Sequence, residues 1–87
     1  RPTEKSKIQL FVSQKVRELR DKNGLTQEQF AERINRSREF FANRENLNTG
    51  MAFNLDMINV IAKEFKVSPK YFMPDEDYDS ELEKYFD

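Results

Sequence analysis

An all-α fold, one compact body of five short helices followed by an acidic C-terminal tail, is what these 87 residues predict. Three observations carry that expectation. Apolar residues recur at the three-and-four spacing of a helix in successive segments, no segment alternates with the two-residue period of a strand, and the periodic segments open on residues that cap helices. The composition allows a folded body, because 37% hydrophobic residues with eight Phe supply one small core against 36% charged residues.

Each element follows from local sequence. From Ser6 to Lys22 the residues Ile8, Phe11, Val12, Val16 and Leu19 repeat at helical spacing, and Asn23-Gly24 supplies a left-handed stop. Thr26 precedes Gln29 by three residues, the arrangement of a capping box, and opens a second helix barely two turns long. Its inward stripe is Phe30, Ala31 and Ile34, broken at "NRS". Ser37 caps a third helix from Arg38 to about Asn46, after which "LNTGMAF" carries the Asn and Gly of a loop. Asn54 caps a fourth helix with Leu55, Ile58, Ile61, Ala62 and Phe65 inward, and Ser68-Pro69 starts a fifth that carries Tyr71 and Phe72.

Beyond Pro74 the composition shifts to "DEDYDSELEKYFD". Ser80 and Glu83 have capping-box spacing, and Leu82, Tyr85 and Phe86 share one face of a helix too short to be stable alone. A solvated tail and a short docked helix both remain open. The expected division is a helical body over residues 1–74 and a tail over 75–87. The body holds fourteen Lys and Arg against nine Asp and Glu, a balance of +5, whereas the tail holds seven acids against Lys84, a balance of −6. A basic body of this kind fits mildly the footprint of a nucleic-acid binder, which the net charge of −1 conceals.

Most chemistry is excluded by residue type. The chain has no His and no Cys, which removes the usual general base, the thiolate nucleophile and nearly all zinc-site designs. Asp75, Asp77 and Asp79 mimic the start of a calcium loop, but Ser80 stands where its turn glycine belongs and Phe86 where its bidentate glutamate belongs. Gly24 and Gly50 are the sole glycines, too few for a phosphate-cradling loop. No enzyme activity, metal or cofactor is expected. The longest apolar runs, such as "LFV" and "VIA", are far too short for a bilayer span or a signal-peptide core, so a cytoplasmic protein without membrane partners is expected. The chain begins at Arg1 without a Met and is compatible with a piece of a longer protein.

The segment "TQEQFAERINRSREFFANRE" gathers four arginines, from Arg33 to Arg44. If its second helix buries Phe41, steps of about 100° place Glu39, Asn43 and Asn46 roughly opposite, with Phe40 and Ala42 on the flanks. Such a face can read bases: Asn can bond adenine bidentately, Glu can accept from cytosine, and an Arg near the helix start can reach guanine or a phosphate. The same pattern also describes an ordinary hydrated helix face. The residues alone do not choose.

A family resemblance does. "LRDKNGLTQEQFAERINRSREFFANRE", followed by "LDMINVIAKEFKVSPKYF", resembles the lambda repressor and Cro type of helix-turn-helix domain, also called the xenobiotic-response-element family, over about residues 8–73. The most specific part is "LTQEQFAERI", and "IAKEFKVSPKYF" matches the closing helices. The resemblance implies a five-helix domain that binds double-stranded DNA, usually as a homodimer on a pseudo-palindromic site, with the second helix of the unit in the major groove. It places Gln27 and Asn46 near phosphates, Arg38, Glu39 and Asn43 at base edges, and Ser37 and Phe40 beside the backbone or a thymine methyl. Three features depart from the family pattern. Arg36 and Arg44 stand where small or inward apolar residues are usual, and the loop "ENLNTGMAFN" is about two residues longer, with Leu47 in place of the usual Gly.

Two functions therefore compete. One is a sequence-specific transcriptional regulator, a repressor, working through helix 3 at about residues 38–46. The other is a protein-interaction module on the same scaffold, antitoxin-like or anti-repressor, that uses Phe40, Phe41 or the acidic tail on a protein partner. Salt-dependent binding to duplex DNA separates them.

Overall fold

The computed structural model describes residues 4–79, and every regular element among them is helical. In order these are α1 (Lys7–Lys22), α2 (Gln27–Arg33), α3 (Arg38–Glu45), α4 (Leu55–Phe65) and a single 3₁₀ turn, Pro69–Phe72. The fifth α-helix expected after Ser68-Pro69 is thus only that turn. Its limit is local: Pro74 drives the preceding Met73 out of the helical region, to φ −104° and ψ 144°, so the segment cannot lengthen. None of the described helices is long and apolar enough to cross a membrane.

Start and stop signals act where the sequence places them. Ser6 and Thr26 each close a capping box, with Gln9 and Gln29, while Ser37 and Asn54 cap α3 and α4 through single side-chain bonds. Three helices end in the same bonding pattern, in which an N–H beyond the helix reaches back five residues. Leu25 donates to Arg20 O at 3.2 Å, Arg36 to Ala31 O at 2.9 Å and Val67 to Ala62 O at 3.0 Å. The pattern needs a left-handed residue just before the donor, and Gly24, Asn35 and Lys66 fill that place at φ 66°, 60° and 58°. Gly and Asn accept that conformation readily, whereas a Lys there costs about 1–2 kcal/mol. The next residue, Val67, packs against the core.

The core is assembled from Val12, Val16 and Leu19 of α1, Phe30, Ala31 and Ile34 of the α2 segment, Phe41 of α3, Phe53, Met57, Ile58, Ile61 and Ala62 of the α4 segment, and Phe72. The Phe30 ring stacks on Phe41 at 4.7 Å and on Phe65 at 4.4 Å, so one aromatic column joins three helices. Two residues expected inward are not: Ile8 is 42% exposed and Leu55 is 75% exposed. Each shares its direction around the helix axis with a buried residue, Leu19 and Ala62 respectively, and each stands in the first turn of its helix. Phe11 and Phe65 are only half-buried. Residues 75–79 are exposed and carry no helix, while the Ser80–Glu83 pair and Leu82, Tyr85 and Phe86 lie outside the described residues.

Candidate nucleic-acid interface

Residues Ile34 to Ser37 join α2 to α3 in four residues, and the left-handed Asn35 turns the chain inside that span. On α3 the apolar anchor is Phe41, fully buried, and the opposite face is open at Glu39 and Asn43; Arg38, in the first turn and nearer the azimuth of Phe41, is exposed too, as are Ser37 before the helix and Asn46 after it. Phe40 is half-buried on the flank. From Glu39 to Glu45 the exposed and buried positions on α3 agree with a step of about 100°, while Arg38 at the first position is exposed despite its azimuth. The helix stops at Glu45, one residue short of the expected end, because Asn46 is already extended at ψ 125°.

A short helix with one buried apolar residue needs other anchors, and polar groups supply them. Glu45 is fully buried and accepts from Arg20 Nε at 2.8 Å and Nη2 at 3.2 Å, and from Gln27 Nε2 at 2.7 Å. Arg20 spends a further N–H on Leu25 O at 3.1 Å. One carboxylate thereby ties α1, α2 and α3 together, and among the described residues no buried side-chain polar atom lacks a partner. The carbonyls at the C-terminal end of α3 are claimed in the same way. Ser13 Oγ, fully buried on α1, donates to Arg44 O at 2.7 Å, Thr49 Oγ1 donates to Asn43 O, and Lys5 Nζ donates to Asn46 O and to Thr49 O. A cation at this end also suits the helix dipole. Burial, and then the charge of Arg44, lowers the Lys5 pKa below its ordinary 10.5.

Sequence reasoning missed Lys5, Ser13, Arg20 and Glu45 as positioning residues. A signal existed for Glu45, which lies four residues after Phe41 and so on the inward side, where a carboxylate demands a cation.

The four arginines divide by partner. Arg33 is ion-paired with Glu64 at 2.8 Å and lies 4.4 Å from the Phe65 ring centre, so it joins α2 to α4. Arg36, Arg38 and Arg44 form no ion pair among the described residues. Arg44 lies half-buried over the Phe40 ring, 3.6 Å from its centre, and donates to Phe40 O at 3.2 Å, while Arg36 sits 5.1 Å from the same ring. The unusual arginines are thus accommodated on an aromatic surface, as their long stems allow. Of the other candidate residues, Gln27 is half-buried with one amide hydrogen on Glu45 and a second still free to donate. Asn46 uses Oδ1 to hold the N–H of Asn48 at 2.8 Å.

Two short helices joined by a four-residue turn, the second anchored by its inner face and polar on its outer one, make a helix-turn-helix unit. The family profile of the helix-turn-helix domain matches residues 13–77. The chain belongs to that family, in its lambda repressor and Cro type. No curated protein and no solved structure gives a significant match to it.

Proposed function

We propose that the chain is a sequence-specific DNA-binding transcriptional regulator, a repressor, that inserts α3 into the major groove as one half of a homodimer. The observation that carries this is the exposed row Arg38, Glu39, Asn43 on a helix whose inner face and C-terminal end are fixed to the body. In the proposed register Arg38, Glu39 and Asn43 meet base edges, Gln27 and Asn46 lie near phosphates, and Ser37 and Phe40 lie beside the backbone or a thymine methyl. Residues 1–74 form the DNA-binding body and 75–87 an acidic tail.

The homodimer follows from surface. A single small reader buries too little for useful specificity, and two copies place their helices about 34 Å apart, one turn of DNA. Selection of bound duplexes from a random pool tests the whole reading. A two-fold motif with half-sites one turn apart is the expected result, and a lone half-site bound at full affinity by a monomer contradicts the dimer.

A second reading, a protein-interaction module, draws support from the exposed Met51, Leu55 and Val60, at 50%, 75% and 42%. Phe41, a candidate for such docking, is fully buried and drops out. Absence of salt-dependent duplex binding, together with loss of partner binding in Leu55→Asp, would favour this reading.

A further inference from the structure

We propose that Arg36 and Arg44, held on the ring of Phe40, clamp the phosphodiester backbone of the DNA at one wall of the groove that α3 enters. This rests on the DNA-binding reading above and adds two residues to it. The two guanidinium groups converge on one ring, at 5.1 and 3.6 Å from its centre, and neither has a carboxylate partner among the described residues. Stacking orients a guanidinium while leaving N–H groups at its edge unspent; Arg44 gives one of its five to Phe40 O. An oriented, unpaired guanidinium suits a phosphate, which it can bind bidentately.

Position on the helix supplies the second argument. With Phe41 at the inner azimuth, Asn43 and Glu39 point outward, and Phe40 and Arg44 lie on the flank next to Asn43. A helix about 10–12 Å across fills a major groove about 12 Å wide, so when its outer face meets the bases its flank meets a phosphate wall. Arg36, in the turn before α3, lies toward the same flank. The groups also border a cleft of about 340 Å³ shared with Ala52, Asn54, Met57 and Asp56. The exposed Asp56 carboxylate disfavours a phosphate on the α4 side of that cleft, so the phosphates bind at its α3 rim.

The test uses the full chain with Arg36→Gln and Arg44→Gln together, titrated against a selected duplex and a random duplex from about 50 to 200 mM salt. The slope of log K against log salt should become shallower by about 1.8 per bound protomer, two phosphates at about 0.9 each, and so by about 3.6 for a homodimer, and affinity for both duplexes should fall by the same factor. Circular dichroism and a urea midpoint establish that the variant is folded. Should it fail to fold, Arg44→Met keeps the stem on the ring, and its expected slope change is about 0.9 per bound protomer. Phe40→Leu keeps both charges but removes the ring, and it should weaken both complexes severalfold. A folded variant with the wild-type slope overturns the clamp and leaves the DNA reading standing. Loss confined to the selected duplex also overturns it, by making these base-reading residues. A wild-type chain that binds neither duplex overturns both.

Discussion

At the scale of single residues, the sharpest dependence is on Arg20. Its guanidinium is the cation paired with a fully buried carboxylate, so Arg20→Met leaves Glu45 charged in the core and should cost about 3–5 kcal/mol in a urea titration. A loss below about 1 kcal/mol would show that water reaches Glu45 when the partner is gone. The outward residues answer to a different measurement. Arg38→Ala and Asn43→Ala should leave the urea midpoint nearly unchanged, since both side chains are exposed, yet each should cost about 1–3 kcal/mol on the selected duplex and much less on a random one. Unchanged affinity and preference in Arg38→Ala would show that the register of α3 on the bases is wrong. Gln27→Ala should weaken both duplexes alike, because a phosphate contact carries no sequence information.

At the scale of the element, α3 depends on its ends. Eight residues are too few to be helical alone, and Phe41 is its one fully buried apolar residue, so Ser13, Thr49 and Lys5 hold its last carbonyls. Lys5→Met should therefore destabilise the fold by about 1–3 kcal/mol near neutral pH, as the carbonyls of Asn46 and Thr49 lose a donor. The pH dependence has a defined sign. Because burial puts the folded pKa of Lys5 below 10.5, the unfolded chain holds more protons than the folded one between those two values. The Lys5 contribution to stability rises as pH climbs through that window, and this slope should be missing from Lys5→Met. Equal slopes in the two proteins would show that Lys5 titrates alike folded and unfolded.

Across the whole molecule, charge is segregated along the chain, with +5 on residues 1–74 and −6 on 75–87. Screening over roughly 8 Å at physiological salt lets a positive face bind phosphates although the total is −1. At low salt the screening length grows, and the tail should repel DNA and slow non-specific encounter. Deleting residues 75–87 should raise affinity for random duplex at low salt, with little effect at high salt. Unchanged low-salt affinity, measured by fluorescence anisotropy, would rule out this electrostatic role.

What the sequence determined by itself was whatever depends on neighbours along the chain. The caps Ser6, Thr26, Ser37 and Asn54, the left-handed Gly24 and the inward azimuth of Phe41 all follow from contacts within a turn or two, so they were legible in order. Even the shortness of the last turn was written in Pro74. Tertiary structure decided how deep each direction leads: Ile8 and Leu55 point as their periods require, yet stay exposed, while Phe53 and Met57 are buried. It also decided partners distant in sequence. Glu45 meets Arg20 across 25 residues and Lys5 meets Asn46 across 41, and no local period encodes such pairings. The arginines show the division most plainly, for their clustering is a fact of sequence. Only the packing of α2 against α4 spends Arg33 on Glu64, and only the fold leaves Arg36, Arg38 and Arg44 without a carboxylate partner among the described residues.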